Sequence, residues 1–210
     1  MGTSGRVGRP LGGDSGDTLG RILAAARTHF AVSGYRSTTN KVIADDVGIT
    51  PGALYHYIPS KAALYAEVYR DTVDYVYSEF ERAALEEGCL LDRYRAVLRR
   101  AAELHATDAT LTGFIVAVGQ ETQRHPDLIA LLGDQRRRHI QFFAWLVDTA
   151  VESGELADPA GARAVADLLG ATLTGLARLA VSTGDQARYS DAIDAMSHLL
   201  AGTLLTDSNA

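Results

Sequence analysis

The chain of 210 residues contains one cysteine, Cys89, and only two lysines, Lys41 and Lys61. A single cysteine excludes an intramolecular disulfide framework and fits a reducing cytoplasm; a small buried apolar residue is its simplest role, with redox chemistry the alternative. No uncharged apolar run approaches the ~20 residues that a bilayer-spanning helix needs, and the N-terminus lacks a signal-peptide hydrophobic stretch. Neither export nor membrane anchoring is therefore expected. Strand-like alternation and internal repeats are missing too, which leaves an all-α chain. Catalytic signatures are equally scarce. The histidines at 29, 56, 105, 125, 139 and 198 are scattered, and no His-Glu-x-x-His, Cys-x-x-Cys, phosphate-loop or Gly-x-Ser-x-Gly pattern occurs. Glu121 and His125 lie four apart and offer two metal ligands, but Pro126 beside them favours a helix-terminus contact. The expectation is a protein that is not an enzyme, with no cofactor and no metal.

Charge is distributed unevenly. Residues 1–61 hold seven Lys or Arg against four Asp or Glu, a net of +3, and residues 62–210 hold 13 against 22, a net of −9. An acidic protein can still bind DNA when its positive charge gathers on one domain, while its acidic remainder discourages non-specific adhesion. The first 17 residues are glycine-rich, carry Arg6 and Arg9 and show no apolar periodicity, as expected of a disordered arm. Such an arm beside a DNA-binding module can enter the minor groove; a remnant of cloning is the other reading of this tail.

Both lysines fall in one segment, residues 38–61, whose local signals define two short helices. Thr38 or Thr39 caps a helix running to about Asp46, with Val42, Ile43 and Val47 on its apolar face. Gly48 permits the positive φ of a tight turn. Thr50 is a second N-cap and Pro51 occupies the first helical position, where its missing N–H costs nothing. Pro59 ends this helix near Tyr57, and Ser60 caps a third that starts at Lys61. Two short helices joined by a glycine turn form a helix-turn-helix suited to the major groove, the second being the reading helix.

These residues closely resemble the DNA-binding segment of the TetR/AcrR family of one-component bacterial transcription regulators. The likeness covers roughly residues 22–64 and rests on Thr38-Thr39, Ile43-Ala44, Gly48-Ile49-Thr50, Leu54-Tyr55-His56-Tyr57 and Pro59-Ser60-Lys61 with Leu64, in that order. Val47 and Ile58 depart from the usual Ala and Phe but keep an apolar core. The resemblance implies that Thr39, Asn40 and Lys41 contact phosphates and sometimes a base edge. It implies also that Thr50, Pro51, Gly52 and Ala53 open the recognition helix, that Tyr55, His56 and Tyr57 meet backbone or bases, and that Lys61 helps hold a phosphate. Helix N-termini and lysine suit that chemistry. Pro51, Gly52 and Ala53 have no side-chain hydrogen bonds for bases, so discrimination should rest on Lys41, Thr50, Tyr55, His56, backbone approach at Gly52 and DNA shape. The plainer alternatives are solvated charges for the lysines, a solvent-facing His56, and a packing role for one of Tyr55 and Tyr57, which cannot both face the groove on so short a helix.

The remainder is helical in pattern: a first helix to Gly34, a long one from Lys61 to near Gly88, then about 90–106, 109–124, 127–153 with a break near Gly133, 159–183 and 188–205. Residues 164–177 are apolar nearly all round with small residues interspersed, as in a helix buried on more than one side. The resemblance implies that the last two helices pair with their copies in a four-helix homodimer interface; a monomer burying the helix internally is the alternative. An effector would bind among the middle helices. His105, Phe114, Val118, Glu121, Phe142 and Trp145 are the candidates, with Ile115, Phe143, Leu146, Gln120, Arg124 and His139 as further walls or polar contacts, suiting a small and largely apolar molecule. Arg136-Arg137-Arg138 reads as a solvated face, or less simply as an acidic-ligand site. The organisation expected is an arm (1–17), a three-helix DNA-binding domain with helix-turn-helix (18–62) and a helical ligand-binding and dimerisation domain (63–210). Such a protein is a cytoplasmic regulator of double-stranded operator DNA, a repressor released by effector, with an activator or a non-DNA-binding helical adaptor as alternatives.

Overall fold

The computed structural model describes residues 15–204 except 134 and 157. The arm expected at 1–17 thus lies, up to residue 14, outside the described residues, and α1 (Ser15–Ser37) begins two residues ahead of Asp17. That helix is interrupted at Gly34 (φ 77°, ψ 171°), where the sequence places its end. It is followed by α2 (Asn40–Val47), α3 (Pro51–Tyr57), α4 (Lys61–Leu85), α5 (Leu90–Thr107), α6 (Ala109–Arg124), α7 (Pro126–Leu132) and α8 (Gln135–Glu152). A short 3-10 turn (Pro159–Gly161) leads into α9 (Ala162–Thr183) and α10 (Gln186–Leu200). Among the described residues all regular structure is helical.

Two apolar cores organise these helices. The first gathers Ile22, Phe30, Ile43, Leu54, Leu64 and Tyr65 from α1 to α4, and it continues into Phe114 and Val118 of α6 and Leu128 and Leu132 of α7. Phe30, Tyr65 and Phe114 meet ring to ring at centroid distances of 4.9 to 6.2 Å, so the N-terminal helices are joined to α6 by packed aromatic surface. The second core joins the C-terminal half of α4 to α5, α8, α9 and α10 through Val76, Phe80, Leu98, Phe142, Leu146 and Leu173. One helix, α4, therefore contributes to both. Across its 25 residues, Leu64, Tyr65 and Val68 face the first core, and Val73, Val76, Tyr77 and Phe80 face the second.

Polar contacts reinforce these junctions. Arg27 of α1 reaches the α5–α6 turn, with its guanidinium 2.5 Å from Asp108 and its Nε donating to Thr110 at 3.0 Å. Glu79 of α4 is buried and accepts hydrogen bonds from Arg100 of α5 and Arg82, and the Arg100 bonds hold its carboxyl below the ordinary carboxylate range. A buried carboxylate needs such partners, since an unpaired charge would be costly there.

The packing of α9 requires one glycine. An added Cβ at Gly170 would lie 2.9 Å from His139 Nε2 and 3.1 Å from a Phe143 ring carbon, so only a bare backbone lets α9 approach α8 this closely. The inner side of α9 buries Leu169, Leu173, Leu176 and Ala180, while Leu168 remains 64% exposed and Val181 42%. By length and composition α9 could cross a membrane, yet it carries Arg163, Asp167 and Arg178 and packs as one wall of the bundle.

Candidate nucleic-acid interface and ligand cavity

The α2–turn–α3 unit is built from local signals that the sequence states openly. Thr39 Oγ1 accepts from the Val42 N–H at 3.2 Å, opening α2. Gly48 closes the helix in the left-handed region (φ 76°, ψ 34°), a conformation that a Cβ would strain, and the Ile49 N–H bonds the Ala44 carbonyl at 2.9 Å. Thr50 Oγ1 then accepts from the Ala53 N–H at 3.1 Å, with Pro51 at the first position of α3, and Ser60 caps α4 in the same way. From behind, Arg21 of α1 donates to the Val47 carbonyl at 2.6 Å. Ile43, Ala44, Val47 and Leu54 bury the inner faces, leaving the outer faces free.

Those outer faces carry most of the candidates. Thr39, Lys41, Thr50, Pro51, Gly52, Tyr55, His56 and Tyr57 are exposed on one continuous unit, while Asn40 and Ala53 are half-buried. Tyr55 and Tyr57 are 52% and 37% exposed, so neither is a core aromatic. Thr38, by contrast, is buried and bonds the His29 and Gly34 carbonyls; it locks the end of α1, and Thr39 alone caps α2.

Lys61, which the resemblance implies helps hold a phosphate, makes contacts within the protein. Its ammonium donates to the carbonyls of Tyr35, Arg36 and Thr38 at 2.9, 3.3 and 3.0 Å and lies 4.5 Å above the Tyr35 ring. A lysine has three N–H donors, and all are engaged on the C-terminal end of α1. Burial lowers its pKa. No sequence signal marks this contact, because α1 and Lys61 meet only through the tertiary fold.

A cavity of about 210 Å³ opens between α4, α5, α6, α9 and α10. Val76, Tyr77 and Phe80 of α4 and Leu104, Leu173 and Tyr189 from the other helices form its buried floor. His139 also lines it, with Nδ1 2.5 Å from the Tyr77 hydroxyl, and burial lowers its pKa. Which of the two donates is set by the imidazole tautomer.

The six effector candidates do not converge here. Ile115, Gln120 and His139, expected as further walls or polar contacts, are among the described residues lining the cavity, but His105, Phe114, Val118, Glu121, Phe142 and Trp145 are not. Phe114 and Val118 belong to the first core, on the face of α6 turned toward α1. Glu121 shares that side and lies 3.6 Å from His125, the helix-terminus pair anticipated from Pro126. Phe142 is packed inside the second core and Trp145 against it; His105 stacks edge-on against Tyr189 at 5.2 Å. The physical reason is that α6 has two apolar stripes, and the cavity takes the one with Leu111, Ile115 and Gly119. Of the arginine run, Arg138 pairs with Glu81 at 2.8 Å. Among the described residues no cluster of three potential metal ligands occurs.

A glycine-turned pair of short helices, exposed on its outer face and mounted on an all-helical body with an internal cavity, has the geometry of a helix-turn-helix. Residues 22–68 match the family model described as bacterial regulatory proteins, tetR family. The HTH-type transcriptional repressor KstR2 of Mycolicibacterium smegmatis is 33% identical over 117 residues, 56% of this chain and 49% of that protein. The match thus spans about half the length of that curated relative. Among solved structures, Salmonella enterica GusR is 26% identical with a TM-score of 0.72, covering 91% of this chain and 97% of its own. Bacillus subtilis FadR in complex with stearoyl-CoA is 17% identical with a TM-score of 0.70, covering 88% and 98%, a likeness of fold alone. Residues 22–68 thus carry the likeness to the tetR family, and a likeness of fold extends over most of the chain.

Proposed function

We propose that this protein is a homodimeric, cytoplasmic transcriptional repressor that binds a palindromic operator through α2 and α3 and is released by a small-molecule effector. The observation that carries this reading is the exposed outer face of the capped α2–turn–α3 unit. There Lys41, Thr50, Tyr55 and His56 are clear of the core, and in this reading they meet phosphates and base edges. Asn40 and Thr39 sit at the N-terminus of α2, where free N–H groups attract a phosphate. Pro51, Gly52 and Ala53 let the N-terminal end of α3 come close to the groove. In this reading residues 18–62 form the DNA-binding domain and 63–210 the effector and dimerisation domain, although α6 is packed into both cores.

The dimer is supported by α9 and α10. The first leaves an apolar outward face at Leu168 and Val181, which a second copy of the same helix pair would cover. Two reading helices about one DNA turn apart, ~34 Å, then match a palindrome. Release follows if effector in the cavity favours a position of α4 that spreads or narrows the reading heads. By linkage, operator must weaken effector binding by the same factor.

The test is fluorescence anisotropy of the protein titrated onto duplexes tiled from the DNA flanking its own gene, beside Lys41→Ala and Tyr55→Ala. Tight binding to one near-palindromic duplex that both substitutions weaken supports the regulator. Binding equal across all duplexes and untouched by either substitution contradicts it.

A further inference from the structure

The cavity is lined by buried apolar side chains and by exposed polar ones. Its floor is made of side chains that are almost fully buried, among them Val76, Phe80, Leu104, Leu111 and Leu173. The Tyr77 hydroxyl on this floor is already bonded to His139. The mouth is formed by exposed residues of α6 and α9, and its side chains are donors: Gln120, Gln123 and Arg178. Among the described residues that line the cavity, Arg178 is the one permanently charged side chain, and none is Asp or Glu. Among the described residues Arg178 has no ion pair and no hydrogen bond, in contrast to Arg27, Arg100 and Arg138, which all hold carboxylates.

A buried apolar floor below an unspent guanidinium and two carboxamides is complementary to one ligand class. We propose that the cavity binds a small amphipathic monocarboxylate, its hydrocarbon part on the floor and its carboxylate paired with Arg178 at the mouth. The guanidinium fork matches a carboxylate bidentately, and the Gln120 and Gln123 amides supply the additional donors that a desolvated anion needs. Size restricts the class further. At about 210 Å³ the cavity is smaller than the roughly 300–1,000 Å³ of drug-sized sites. A medium-length fatty acid or a single-ring aromatic acid suits it. The inference rests on the reading of the chain as a ligand-responsive regulator and names its effector class.

Isothermal titration of octanoate, octanamide and octanoyl-CoA onto the full chain, and onto Arg178→Gln, tests it. Octanoate should bind at least about tenfold more tightly than octanamide, the usual worth of one charge-assisted contact. Arg178→Gln should bring the two within about twofold of each other, with an unchanged circular dichroism spectrum because Arg178 is exposed. Equal binding of acid and amide by the native chain, tighter binding of octanoyl-CoA than of octanoate, or no binding of octanoate would each overturn the proposal without recourse to the variant. Operator affinity of the ligand-free protein is measured alongside. A protein that binds its duplex and ignores octanoate loses this inference and keeps the regulator; one that binds octanoate and no duplex does the reverse.

Discussion

The Lys61 ammonium at the start of α4 donates to the Tyr35 carbonyl at 2.9 Å and lies 4.5 Å over the ring of the same tyrosine. With the Arg36 and Thr38 carbonyls also engaged, Lys61 fastens α4 to the end of α1, directly before the N-cap of α2. This lysine therefore acts as a clamp that sets the reading unit against the helix shared by both cores.

That relationship separates the two lysines experimentally. Lys61→Met should lower the thermal midpoint by several degrees, since charge-assisted hydrogen bonds contribute about 1.5–3 kcal/mol each. It should leave the slope of log K against log salt unchanged. Lys41→Ala should do the opposite, leaving the midpoint within about 1 °C and reducing the slope by roughly one. Salt-dependent DNA titrations and thermal melts of both variants check this.

Gly170→Ala should be destabilising. The new methyl meets His139 Nε2 at 2.9 Å, and the ring is tethered on its other side by Tyr77, so it cannot yield without breaking that bond. Overpacking of this kind costs about 1–3 kcal/mol, readable as a shift in the chemical denaturation midpoint at constant m-value. His139→Ala in the Gly170→Ala background should recover part of the loss.

His139 also predicts an acid sensitivity. Burial lowers its pKa below the ordinary 6.5, so the unfolded chain binds the proton first as pH falls. The unfolded state then holds more protons than the folded state, and stability must rise with pH in that interval. The contribution is complete above about pH 6.5 and is lost as pH falls below it toward the folded-state value. His139→Asn should flatten the decline in thermal midpoint between pH 7.5 and pH 5; an equally steep decline in the variant would assign it elsewhere, with His105, whose pKa burial also lowers, the next to substitute.

Leu168, 64% exposed on the outward face of α9, should mark the dimer interface. Leu168→Glu places two like charges near a two-fold axis in an apolar setting. Sedimentation equilibrium should show a dimer for the native chain and a monomer for the variant, with helix content unchanged. Operator affinity should fall because half-sites are then bound singly.

The reading unit was legible because its signals are local. Thr39, Gly48, Thr50, Pro51 and Ser60 act on backbone groups within four residues of themselves, and each performs the role that its chemistry dictates. The cavity was less legible. Phe114 and Ile115 are adjacent apolar residues on one helix, yet one is packed toward α1 and the other faces the cavity. Periodicity reveals that α6 has apolar stripes but not which neighbour each one meets. Arg178 is an isolated arginine late in an apolar helix with no local motif, and its place beside the cavity depends on α4 and α6 across from it. Lys61 shows the converse, a residue whose motif position suggests phosphate while its three donors are spent within the protein.

Selection of bound sequences from a random duplex pool tests operator recognition by α2 and α3. An inverted repeat whose half-sites are centred about one helical turn apart, ~10 base pairs, should be enriched, and Tyr55→Ala should lose that enrichment. Recovery of a pool no different from the input, with the protein folded and dimeric, would contradict it.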